Sequence, residues 1–120
     1  MKEQMKLSNA IREGAKLRPQ GFKAYFDEEN GVVCSCALGA AFEAVTGKLP
    51  RLGNANYIDE IVLPILNTNF SFFNTTARCA CPVEDCNSEI FSPFNLIIHL
   101  NDTHNWTREQ IAGCLKEKGF

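Results

Sequence analysis

Four side chains near the C-terminal end have the types and spacing of a closed metal site: Cys81, Cys86, His99 and His104. Four residues separate the two cysteines, twelve lie between Cys86 and His99, and four separate the histidines. Two thiolates from a knuckle and two imidazoles from one helix face satisfy a tetrahedral Zn²⁺ with no position left open. Such an ion supplies folding free energy rather than an activated water. Cys79 is an alternative first ligand, since Cys79-Ala80-Cys81 offers two thiols in one strand. The spacing to Cys86 and the stiffening effect of Pro82 favour Cys81.

The elements that must position these groups follow from the residues between them. From Cys81 the chain resembles a Cys2His2 zinc finger, with Ile90 where that family usually has Phe and with Leu96 three residues before His99. The resemblance implies a ββα unit in which Ile90 and Leu96 form a small apolar core under the metal. Ser92-Pro93 supplies an N-cap and a first helical residue where the finger helix must begin. In a finger that reads duplex DNA, the residues at the start of this helix meet base edges. Here they are Ser92, Phe94, Asn95 and Ile98, with neither Arg nor Lys among them. Glu84, Asp85, Glu89 and Asp102 make the segment acidic, which opposes attraction to phosphates. Phe94 and Ile98 are four apart and share a face, which the rest of the domain or a protein partner is expected to cover.

At 120 residues, 45% apolar and 22% charged, the chain reads as one globular domain over 1–120: a helical part with a hairpin at 1–76, then the finger-like part and a last helix at 77–120. Its net charge of −2 provides no field that recruits nucleic acid or anionic lipid. No apolar run is long enough to span a membrane, and Met1-Lys2-Glu3-Gln4 has no apolar export core, so a cytoplasmic location is expected. Without an export signal, and with two histidines following the cysteines, metal binding accounts for the six cysteines better than disulfides do.

In chain order, Ser8 is placed to cap a helix over 9–17 with Leu7, Ile11 and Leu17 as its apolar stripe, ended by Pro19. Phe22 to Phe26 reads as extended, Asp27 to Gly31 as a hairpin turn, and Val32-Val33 as the return strand. Ser35 or Cys36 opens a small-sided helix from Ala37 to Thr46, stopped by Gly47, which suits close packing against a neighbouring backbone. Asn56 is placed to cap a helix over 57–66 that Pro64 kinks or shortens. The stretch from Asn67 to Thr76, with Phe70, Phe72 and Phe73, reads as extended. Thr107 to Gln110 is a capping box opening a last helix to about Lys118.

An enzyme needs an activated group. Cys34 and Cys36 flank the start of the small-sided helix, where its dipole lowers a thiol pKa, and a thiol-dependent enzyme is the reading they allow. With both histidines given to zinc, no base is left, and small core residues are the plainer reading, as for Cys114. Trp106 is expected between the last two helices. A nucleic-acid regulator would need a basic patch assembled from Lys6, Arg12, Lys16, Arg18 and Lys23.

Leu17–Gln20, Ser35–Ala41, Ile98–Asp102 and Trp106–Ala112 together resemble short, uncharacterised bacterial and phage proteins that combine a Cys-Pro knuckle with a His-Leu-Asn-Asp segment. This chain departs from them in Cys114 and in its longer knuckle, and the resemblance implies no activity. The expectation is a mainly α, small α+β domain: helices, a short β hairpin, a zinc-finger-like ββα unit and a final helix. Its expected role is non-enzymatic, a zinc-stabilised module that binds another protein through exposed parts of Phe94, Ile98, Trp106 and the Phe70 to Phe73 segment. Neither nucleic acid nor membrane is the expected partner.

Overall fold

Helix α1 (Leu7–Ala15) lies so close to helix α2 (Ala37–Thr46) that a Cβ on Gly14 would run into the Ala40 carbonyl. Gly14 costs α1 about 1 kcal/mol of helix propensity, and the contact explains why it is there. The small residues of α2 answer it, with Ala37, Ala40 and Ala41 fully buried. The computed structural model that shows this describes residues 5–22, 25–49, 55–74, 79–83, 86 and 90–120; the side chains of 29, 55–59, 79 and 90 lie outside that description.

Helix α2 begins and ends where the residues predict. Cys36 is its N-cap, the sulfur accepting from the Gly39 N–H at 3.5 Å, and Gly47 closes it in the left-handed region at φ 69°. Helix α1 differs. It starts at Leu7, so Ser8 is not its cap; the Ser8 hydroxyl is buried and donates instead to the Phe120 carbonyl at 2.7 Å. The stripe is Leu7, Ala10 and Ile11, because the helix stops before Leu17, which is 57% exposed.

Strands β1 (Phe26–Glu29) and β2 (Val32–Ser35) pair antiparallel from Phe26↔Ser35 to Glu29↔Val32. Asp27 to Glu29 therefore belong to the strand, and the turn shrinks to Asn30-Gly31, with φ of 51° and 80°. Two successive positive φ angles match the twist of a tight hairpin, which is why Asn-Gly stands there.

Helix α3 (Ala55–Asn69) continues past Pro64 and is not shortened by it. Pro64 and Glu60, whose carbonyl loses its helical donor to the proline, are both exposed residues, where solvent makes the lost bond cheap and the helix need not end. The expected cap at Asn56 falls among side chains outside the description. Residues 67–69 thus belong to α3, and Ser71–Asn74 form a 3₁₀ turn rather than an extended segment. Coiling lets Phe70 and Phe72 both be buried, which strict alternation toward a single face would also permit, but it additionally sets Phe73 edge-on to both rings. Residues 75–76 lie outside the description.

The finger-like part consists of β3 (Cys79–Ala80) paired antiparallel with β4 (Ile90–Phe91), followed by α4 (Pro93–Asp102) and α5 (Arg108–Glu117). Both caps hold: Ser92 accepts from the Asn95 N–H, and Thr107 with Gln110 forms the reciprocal capping box. Leu96, Ile97, Leu100, Ile111 and Leu115 share one apolar cluster with Leu7, Ile11, Leu38, Phe42, Val62 and Leu66. The architecture is the mainly α, small α+β arrangement expected. No helix among the described residues is long and apolar enough to cross a membrane.

Candidate metal centre

Strand β3 delivers Cys81 to the start of the knuckle, and the Cys86 N–H closes it on the Val83 carbonyl at 3.1 Å. On the opposite side, the Ser92 cap sets the start of α4 and so the position of His99. His104 does not share the helix with His99, as the sequence led one to expect; it follows the end of α4. The chain turns there, with the Thr103 and His104 N–H groups both on the His99 carbonyl and Asn105 at φ 53°. This turn brings the second imidazole back over the first.

The four ligand atoms of Cys81, Cys86, His99 and His104 lie within 4.8 Å of one another. Cys81 Sγ is 3.4 Å from His104 Nε2, Cys86 Sγ is 3.3 Å from His99 Nε2, and the two Nε2 atoms are 3.0 Å apart. A tetrahedral zinc with ordinary bond lengths sets S···N edges of about 3.6 Å and an N···N edge of about 3.3 Å. The three close edges fall a few tenths of an ångström inside those of that tetrahedron. The group is thus positioned to hold a metal ion. All four side chains are half-buried.

Phe91 completes the setting. Its ring stacks on His99 with centroids 4.4 Å apart and planes at 26°, while the two imidazoles stand nearly perpendicular. This stacking was not anticipated from the sequence, where Ile90 was the residue expected to support the metal. The side chains of Ile90 and of Cys79, the alternative ligand, lie outside the described residues. Leu96 is buried as expected, but in the common core of the domain rather than in a private one.

Other candidate residues sit elsewhere. Phe94 and Ile98 are half-buried against the core, and Phe94 packs against Tyr25 and Phe73, with ring centroids 6.3 and 5.4 Å away. Trp106 is half-buried, and Phe70 and Phe72 are core, so most of the surface expected to meet a partner is used inside the fold. None of Cys34, Cys36, Cys81, Cys86 and Cys114 is in a disulfide. Cys34 and Cys36 are buried, and burial pushes the Cys36 thiol up to about 11, outweighing the backbone N–H groups at the helix start. Cys114 is half-buried. Of the basic residues, Arg12 pairs with Glu109 at 2.9 Å, Lys16 with Glu13 at 3.0 Å, and Arg18 with Glu43 at 2.9 Å. Lys6 is exposed at the start of α1, and Lys23 lies outside the described residues.

Sequence reasoning missed a buried polar network beside the centre. Gln20 Nε2 donates to the Trp106 carbonyl at 2.7 Å, and Gln20 Oε1 accepts from the Arg108 N–H at 3.2 Å. The Arg108 guanidinium is buried; it donates to the Arg18 carbonyl at 2.8 Å and to Ser35 Oγ at 3.0 Å. Desolvation lowers its pKa. Asn101, 1% exposed, joins the same network. Its members lie in Leu17–Gln20, Ser35–Ala41 and the stretch from Ile98 through Ala112. Comparison of the chain with family models, curated proteins and solved structures returns no match.

Proposed function

We propose that the chain is a zinc-stabilised, non-enzymatic binding module in which Cys81, Cys86, His99 and His104 hold the ion. One observation carries this reading: each Nε2 has both a thiol sulfur and the other imidazole within 3.4 Å. An imidazole nitrogen offers one in-plane lone pair or one N–H, so it cannot serve two neighbours as hydrogen bonds at once. An ion at the common centre takes all four. Two thiolates and two imidazoles suit Zn²⁺, and four protein ligands leave no place for an activated water.

The partner we favour is a protein. The reading positions of α4 include Phe94 and Ile98, both packed on the core, and three of the basic residues a nucleic-acid patch would need are held by carboxylates. Among the described residues, the large apolar side chains left to meet a partner are Leu17, Val32, Met5 and Phe22, at 57%, 49%, 41% and 41% exposure. Elemental analysis of purified protein tests the centre, with one zinc per chain expected. Cys81→Ser is expected to lose the ion and Cys79→Ser to keep it; the reverse outcome would exchange those two roles, and a metal-free chain with unchanged melting would remove the reading.

A further inference from the structure

Asn101 stands between the two histidines of the centre, two residues after His99 and three before His104. Its Oδ1 accepts from the Ala37 N–H at 3.2 Å and from Gln20 Nε2 at 3.3 Å, and its Nδ2 donates to the Gly21 carbonyl at 3.2 Å. One side chain in the last turn of α4 thus holds the first residue of α2 and the Pro19–Gly21 segment. That segment is a strap laid along Cys34 and Ser35, next to the Cys36 cap. It runs beside Ser35 through the Gly21 N–H to Ser35 carbonyl and Ser35 N–H to Pro19 carbonyl bonds, each 2.9 Å. A Cβ on Gly21 would stand 3.0 Å from the Cys34 Cβ, so the strap runs too close to Cys34 to leave room for a side chain there. Cys36, the α2 cap, immediately precedes Ala37.

We propose that the Cys81–Cys86–His99–His104 centre, when loaded, keeps this strap closed beside Cys34 and Cys36 through Asn101, so that loss of the ion makes the thiol pair reactive. The inference rests on the reading of the cluster as a metal centre. The turn after α4 is folded back so that His104 meets His99, and the same turn fixes Trp106, whose N–H bonds the Leu100 carbonyl at 3.0 Å and whose carbonyl holds Gln20. Loss of the ion removes the bonds that would tie His104 and His99 to each other and to the two sulfurs, which lie 3.0–3.4 Å from the imidazole nitrogens. The last turn of α4 is then free to open, and Asn101 moves with it. A metal-dependent change would then be read out some distance away, at two cysteines that are not ligands.

The test uses the full chain loaded with zinc. Alkylation by iodoacetamide is followed by peptide mass spectrometry, which separates Cys34 and Cys36 from the ligand cysteines, with and without a chelator. Two of the Asn101 bonds lost, at about tenfold in opening each, give roughly a hundredfold faster labelling after chelation. Hydrogen exchange in α1 should stay slow, marking a local opening. Asn101→Ala should label fast while still holding its metal, shown by an unchanged spectrum with Co²⁺ in place of zinc; Gln20→Ala serves if that variant does not fold. Thiols that stay protected after chelation, labelling that appears only when α1 also opens, or an Asn101→Ala chain that labels only as it loses metal would each overturn the proposal. A chain that binds no metal would sink the metal reading as well, whereas protected thiols in a demonstrably stripped chain sink this one alone.

Discussion

Gly14→Ala sets helix propensity against packing, and the structure says which wins. Propensity alone makes the substitution stabilising by about 1 kcal/mol, because alanine is the best helix former and glycine among the worst. The added methyl, however, would overlap the carbonyl oxygen, carbonyl carbon and Cα of Ala40, all backbone atoms of α2. No side chain is there to rotate away, so the two helices must separate along a fully buried seam that includes Ala10, Ile11, Ala37 and Ala41. Overpacking of this kind costs about 1–3 kcal/mol, and backbone overlap places it at the upper end. The net expectation is a loss of about 2 kcal/mol after the propensity gain is subtracted. At about 4 °C per kcal/mol for a domain of this size, the melting midpoint falls by about 8 °C. Gly113→Ala is the internal control. Gly113 lies inside α5, and a Cβ there meets nothing within 4 Å, so that variant should show the propensity gain alone. Thermal and urea unfolding followed by circular dichroism, both at saturating zinc, measure the pair. If Gly14→Ala rises in midpoint as Gly113→Ala does, the close α1–α2 approach is wrong.

Phe91→Ala removes the ring stacked on His99 and should weaken metal binding by about tenfold, the usual scale for groups that orient a ligand; Phe91→Leu should retain part of it. Chelator competition measures this, and an unchanged affinity in the alanine variant would exclude a positioning role. The Cys36 thiol, pushed from 9.0 to about 11, favours the folded state when protonated. Its contribution is therefore complete below pH 9 and is lost as pH rises toward 11, amounting to about 1 kcal/mol by pH 10. Between pH 8 and pH 10, wild type should lose about that much more stability in urea than Cys36→Ser; parallel pH slopes would show that the thiol is not buried as described.

What could be read from the sequence was whatever depends on a few neighbouring residues. The Cys36 to Gly47 helix, the Ser92 cap, the Thr107–Gln110 box and the Asn30-Gly31 turn each rest on local chemistry, and each appears where expected. The four cluster residues were legible for the same reason, since their spacing repeats a known pattern. Expectations failed where a distant partner decides the outcome. Ser8 looks like a cap by itself, but the Phe120 carbonyl claims its hydroxyl from the far end of the chain. Pro64 was expected to kink or shorten its helix, but the helix runs on to Asn69, and exposure makes the lost bond cheap. Asn101, Gln20 and Arg108 gave no local signal, because their bonds join residues 64 to 90 positions apart.

An autonomous finger keeps one helix face for its ligand and another for its own small core. Helix α4 has been given other duties on nearly every side. Leu96, Ile97 and Leu100 enter the core shared with α1, α2 and α3; Phe94 meets Tyr25 and Phe73; and Asn101 holds the start of α2. Among the reading positions named earlier, Asn95 is the exposed one. Free energy from an ion at this centre therefore cannot remain in the C-terminal third, because the helix that orients His99 is also a wall of the main core. It follows that the ion and the N-terminal helices should melt together, unless the Asn101 clasp opens first. That ordering separates a metal that merely adds stability from one whose loss is felt at Cys34 and Cys36 before the domain unfolds.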